Sequence, residues 1–200
     1  MVHNAVVNEY RQREHICVLY DSPEEQRSVA AEYLADGLRK GLRCFYVADS
    51  NEALQELRHV LRTSGVDVDR YTKSGALVEA THAEAHLADG RFDSERMLAS
   101  LNQLVESALN DGFAGLRTCG DMSWLLADAP GSSQVVEYEA LLNQFFEGVH
   151  GCGMCQYDRR RIPAGLLDHA LATHSSTVID GVHKPNPLFK PSLLAANRSA

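Results

Sequence analysis

The chain alternates short, nearly continuous apolar runs with longer stretches whose apolar positions recur every three or four residues, a pattern of strands followed by helices. His15 to Tyr20 (HICVLY) reads as a strand buried on both faces. Ser22, Pro23 and Glu25 follow as cap, first helical residue and capping-box partner. Val29, Ala30, Tyr33, Leu34 and Leu38 then share one face before Gly41 ends the helix. Leu42 to Ala48 is a second strand. Asp49 and Glu52 are spaced as another capping box, Leu54, Leu57 and Leu61 line the next helix, and Gly65 closes it. Strand, helix, strand, helix at this spacing predicts βαβ units and a mainly parallel sheet.

Ala76 to Ala80 predicts a third strand. Thr81 to Phe92 is polar, and its His82 and His86 read as solvated, since no H-E-x-x-H pattern joins them. Asp93 to Asn110 is the clearest helix, with Met97, Leu98, Leu101, Leu104, Val105, Ala108 and Leu109 on one face and Gly112 as its stop. Phe113 to Cys119 is a core strand running into Gly120-Asp121-Met122-Ser123-Trp124, and Ala127 to Ser133 is a loop. Gln134 to Val149 predicts a largely buried helix, Gly151 to Tyr157 a strand, Ile162 to Ala172 a helix and Thr177 to Val182 a last strand, with an irregular tail from Lys184. The expected fold is a three-layer α/β sandwich with a mostly parallel central sheet over residues 15–190. Residues 1–14 form an extension and 191–200 a tail.

Composition narrows the function classes. Two hundred residues, 44% of them hydrophobic, suit one folded domain with a sizeable core. Net charge is −8 and no Lys/Arg stripe appears, so direct nucleic-acid binding is not expected. The polar amino terminus lacks a signal-peptide core, and no apolar run reaches the ~20 residues of a membrane span, which predicts a cytoplasmic protein without membrane contact. Five cysteines, mostly inside strand-like runs, predict reduced thiols.

In an open α/β sheet, ligands gather outside the carboxyl ends of the strands. The turn there, Asp21 to Gln26 (DSPEEQ), lacks the glycines and lysine of G-x-x-x-x-G-K-S/T and places carboxylates, Glu25 among them, where triphosphate oxygens would lie; ATP is not expected. Tyr20, Asp21, Asp121, Met122, Tyr157 and Asp158 are expected to rim the same crevice, with Trp124 as an aromatic wall or a core residue. His15 and Cys17 alternate by two and share a strand face, which suits a small-molecule contact, a transition metal or a haem. A metal there needs further ligands such as Cys155 or His174. Cys152-Gly-Met-Cys155 has C-x-x-C spacing but stands alone inside a strand, so packing is its expected role. Glu139 on a buried helix must be paired, protonated or facing a cavity, and Arg117 is the expected partner. No Ser-His-Asp order or carboxylate pair suggests catalysis.

The segments HICVLYDSPEEQ, GLRTCGDMSWLL, YEALLNQFF and MCQYDRRRIP, with His174 and Asn186-Pro187 after them, resemble in order and spacing the MEDS domain, the methanogen/methylotroph DcmR sensory domain. The resemblance covers about His15 to Pro187. It implies a RecA/KaiC-like fold that has lost the phosphate-binding loop. It also implies a small-molecule sensor acting in signalling or transcription control through a partner such as a histidine kinase, an anti-sigma factor or a transcription regulator. It leaves the cofactor open, and self-assembly is an expectation that RecA-like relatives raise. The regulators that give the family its name carry a helix-turn-helix. The ~14 residues ahead of the first strand are too few for one, so action through a partner is expected.

Overall fold

All six residues of β1 (His15–Tyr20) are buried, as a near-continuous apolar run requires when helices cover both faces. The structure, a computed structural model, describes residues 10–191. Residues 1–9 of the expected extension and 192–200 of the expected tail lie outside the described residues. The sheet runs in the order β3 (Leu77–Thr81), β2 (Arg43–Ala48), β4 (Leu116–Asp121), β5 (Gly151–Asp158), β1, β6 (Ser176–Ile179), β7 (Val182–Pro185). Every neighbouring pair is parallel except β6 and β7. Helices α1 (Pro23–Arg39), α2 (Asn51–Thr63) and α3 (Val68–Lys73) cover one face, and α4 (Ser94–Asn110), α5 (Val135–Gly148) and α6 (Ala164–Thr173) the other. The expected three-layer α/β architecture is present.

Side-chain alternation assigns each strand residue to a layer. Ile16 and Val18 of β1, Cys119 of β4 and Cys152 and Met154 of β5 pack under α1 and α2, whereas Cys17, Leu19, Cys155 and Tyr157 pack under α5 and α6. The α1 start is capped as the sequence predicts: Glu25 N–H donates to Ser22 Oγ at 3.1 Å, and Glu25 Oε2 reaches back to Asp21 N–H at 2.8 Å.

Three local expectations change. The α2 cap is Ser50, whose Oγ accepts from Ala53 N–H at 3.2 Å, rather than Asp49. Strand β4 begins at Leu116 because Gly115 holds a φ of 152° and a side chain there would sit 2.1 Å from the His150 carbonyl oxygen. The expected last strand breaks at Asp180-Gly181, both at positive φ, and the chain returns as the antiparallel β7 in place of an irregular tail. Helix α3 is an addition that the short VDRYTK segment did not announce.

Candidate functional site

Alternation along β1 and β5 turns His15 and Cys155 toward α5, and α5 lowers Glu139 onto them. Glu139 Oε2 lies 3.2 Å from His15 Nε2 and 3.3 Å from His174 Nε2. The Tyr157 hydroxyl donates to Glu139 Oε1 at 2.9 Å. Cys155 Sγ is 3.4 Å from His15 Nε2 and 3.8 Å from Glu139 Oε2. Glu139 and His15 are 1% exposed and His174 0%, so none of these groups faces bulk solvent.

Side-chain amides tie the elements around the cluster together. Asn143 donates from one amide to Glu139 O at 3.0 Å and Thr173 O at 2.6 Å, tying α5 to the end of α6. Asn186 donates to His174 O at 2.8 Å. His174 Nδ1 lies 2.7 Å from the Ala170 carbonyl, an acceptor only, so Nδ1 carries the hydrogen and Nε2 presents its lone pair.

Burial opposes ionisation of Glu139, but the adjoining His174, together with His15 and the Tyr157 hydroxyl, holds its carboxyl down to about 2. Burial and the neighbouring His15 push His174 down to about 3, so its charge lowers the Glu139 carboxyl only in acid, and at neutral pH it meets the carboxylate as a neutral base. The ionised Glu139 then rests on the His15 and Tyr157 contacts. Burial also drives the Cys17, Cys155 and Tyr157 acids upward, which keeps all three protonated in this apolar layer.

The expected site residues divide between two places. His15, Glu139 and Tyr157 converge with Cys155 and His174, whereas Cys17 shares their face without joining the donor group. Tyr20, Asp121 and Asp158 line a crevice of about 480 Å³ at the carboxyl ends of the strands, and Asp21 pairs with Arg159 nearby. The crevice walls carry Glu24, Asp49, Glu52, Glu56, Asp121 and Asp158 against Arg27 and Arg161, a charge balance hostile to phosphate. Glu25 serves the helix cap described above. Asp121 closes its own loop by accepting from Ser123 N–H and Oγ–H, both at 2.9 Å. Met122 and Trp124 are core residues on the α4–α5 side, Trp124 stacked between Phe92 and His86 at centroid distances of 4.6 and 5.4 Å.

Two further expectations are corrected. Arg117 does not meet Glu139: β4 turns it to the α1 face, where Nη1 binds Asp36 Oδ2 and Tyr33 O, each at 2.7 Å. His82 and His86 are buried, not solvated; His82 Nε2 bonds to Asp121 O at 2.9 Å. Cys152 and Cys155 do not act as one C-x-x-C unit, because three residues apart on a strand means opposite faces. Cys152 accepts from the Tyr33 hydroxyl at 3.2 Å on the far side from Cys155.

Burial, together with neighbouring His82, pushes His86 down to about 3, whereas an unfolded histidine titrates near ~6.5. The unfolded chain therefore binds more protons as pH falls, so stability is full above pH ~6.5 and declines toward pH ~3. His174 adds a second proton of the same sign. Unfolding free energies from urea should thus fall as pH drops from 6 to 4, and His86→Phe should make that fall shallower.

Two spaces adjoin the cluster. A small cavity of about 30 Å³ is lined by His15, Cys155, Phe146, Tyr138, Met97 and Leu101; it has room for one water or ion and none for a haem macrocycle. A groove of about 460 Å³ opens between β2–β3 and α4, lined by Phe45, Val78, Ala80, Met97, Leu101 and Leu104. Phe45, Met97 and Leu101 wall both spaces. The sequence reading passed over this groove because its residues read as ordinary core. The half-buried Val78, Glu79 and Ala80 of edge strand β3 were the available signal.

Comparison with known proteins agrees with this architecture. The flagellar accessory protein FlaH from Methanocaldococcus jannaschii superposes with a TM-score of 0.60 at 13% identity, covering 86% of this chain and 75% of that one. The KaiC-like protein PH0186 from Pyrococcus horikoshii OT3 gives 0.58 at 12% identity, over 84% and 71%. These likenesses concern the fold. The transcriptional repressor DcmR of Methylorubrum extorquens (strain DSM 6343 / CIP 106787 / DM4) is 30% identical over 166 residues, 82% of this chain and 59% of that protein, so the chain spans about three-fifths of this relative's length. The model of the MEDS family, the MEthanogen/methylotroph, DcmR Sensory domain, matches residues 14–175, and the chain belongs to that family.

Proposed function

We propose that this chain is the sensory unit of a regulatory system, and that it takes up a small, largely apolar molecule in the groove between β2, β3 and α4. The observation that carries this reading is the groove itself. Its volume of about 460 Å³ falls in the range of small-molecule sites, its floor is apolar, and Ser100, Gln103, Glu79 and Arg96 supply polar groups at its walls. It shares Phe45, Met97 and Leu101 with the inner cavity at His15, so a ligand that parts α4 from the sheet also disturbs the buried cluster. Signalling then requires the ligand to bind one arrangement of α4 and α5 better than the other. Kinship with a transcriptional repressor supports a regulatory partner. The acidic crevice at the strand ends supports a sensor without nucleotide hydrolysis, and on its own chemistry favours a cationic effector as the second reading.

Benzene and 1-butanol serve as probes of the groove. Each should raise the melting temperature of the wild-type chain in a concentration-dependent way, as any ligand specific to the folded state does. Ala80→Trp alters a half-buried groove residue and should abolish that rise while leaving the unliganded transition cooperative. A rise unchanged in Ala80→Trp, or no rise with either probe, sinks the reading.

A further inference from the structure

The buried cluster has the spacing of a coordination sphere without needing the groove. Four donors, His15 Nε2, Glu139 Oε2, Cys155 Sγ and His174 Nε2, lie within 4.8 Å of one another, held by β1, α5, β5 and the residue after α6. Four of the six separations, 3.2, 3.3, 3.4 and 3.8 Å, bracket the value a tetrahedral ion imposes, and all six lie within 4.8 Å. Ligands ~2.0–2.3 Å from one ion at the tetrahedral angle stand about 3.3–3.6 Å apart. We propose that His15, Glu139, Cys155 and His174 bind one divalent transition-metal ion in tetrahedral geometry, zinc being the ion whose preference this donor set matches.

A hydrogen-bonded cluster alone leaves two buried ring nitrogens unexplained, His15 Nδ1 and His174 Nε2. His174 Nε2 is fully buried, has no hydrogen-bond partner, and aims a lone pair at a carboxylate oxygen 3.3 Å away. Two facing acceptors in a dry site call for a cation between them. The outer contacts already suit one. Tyr157 occupies Glu139 Oε1 and leaves Oε2 for the ion, and the Ala170 carbonyl fixes the His174 ring with Nε2 inward. Charge also balances: one carboxylate and one thiolate neutralise a dication, with two neutral imidazoles completing the set. On binding, the Cys155 S–H bond breaks, a sulfur–metal bond forms, and one proton passes to water. The His15 hydrogen moves to Nδ1, which has no partner of its own.

The test uses the full chain stripped of metal with a chelator and titrated with Co²⁺, then Zn²⁺. The expected result is one Co²⁺ per chain, with the intense visible absorption of four-coordination and a near-ultraviolet sulfur-to-cobalt charge-transfer band, both bleached by one equivalent of Zn²⁺. Cys155→Ser should lose the charge-transfer band and Cys17→Ser should keep it. Tyr157→Phe, which retains the ring, should weaken Zn²⁺ about 10–100-fold. Weak, six-coordinate-type absorption or no Co²⁺ uptake by the wild-type chain overturns the proposal, whether or not the variants fold. A charge-transfer band that survives in Cys155→Ser overturns it as well. Neither result depends on benzene binding, so the groove and the metal site fail separately.

Discussion

Glu139→Ala is expected to lower the free energy of unfolding by about 3–5 kcal/mol, because the substitution removes the shared partner of a buried polar cluster. The Tyr157 hydroxyl and His15 Nε2 both lose their contacts to the carboxylate, and at 3% and 1% exposure neither can turn to water. A cavity the size of the carboxymethyl group adds its own cost. Glu139→Gln should cost less, since an amide oxygen still accepts from Tyr157 and the volume is kept. Urea unfolding at pH 7 followed by Trp124 fluorescence measures both. A loss below about 1 kcal/mol for Glu139→Ala would mean that the cluster is held by other contacts.

Arg117→Ala should be comparably damaging on the opposite face, again by about 3–5 kcal/mol. The guanidinium is 1% exposed, binds Asp36 and the Tyr33 carbonyl, and stacks 4.6 Å over the Tyr33 ring. Gly37 makes the room: a side-chain carbon there would lie 2.8 Å from Arg117 Cδ. Alanine leaves a long void and strips the Tyr33 carbonyl of its side-chain partner. Arg117→Met keeps the stem, and Asp36 retains Lys40 at 2.8 Å, so its cost should fall to about 1–2 kcal/mol. Equal losses for the two variants would assign the effect to charge and none of it to packing.

The sheet was legible because apolar runs and caps are local signals. Ser22 and Pro23 in front of α1, the unbroken apolar β1 and the face of α4 all follow from near neighbours in the chain. The hairpin at Asp180-Gly181 was legible too, but its D-G turn lay inside a run that reads as one strand.

The cluster was only half legible. His15 and Cys17 fall on one face by alternation, and a buried helical Glu139 calls for a partner, yet which residues meet depends on strand order. Cys17 pairs in register with Cys155, and the neighbouring Gly153 lies opposite His15 with Phe146 packed against it; that arrangement lets Cys155, rather than Cys17, reach the donor group. His174 enters from the end of α6, more than thirty residues beyond Glu139 in the chain. Arg117 was misassigned because the sequence gives no parity for β4 relative to α5. Its start at Leu116, set by Gly115, decides the face.

The proposed sensing centre lies on the α4–α5 face of the sheet, beside the buried cluster, and not in the crevice at the strand ends. A ¹H–¹⁵N correlation spectrum recorded during a benzene titration tests it most directly. The expected result is saturable shifts for the amides of Phe45, Val78, Ala80, Leu101 and Leu104, spreading to His15 and Phe146. Shifts confined to Tyr20, Asp49, Asp121 and Asp158, with the α4 groove silent, would contradict it.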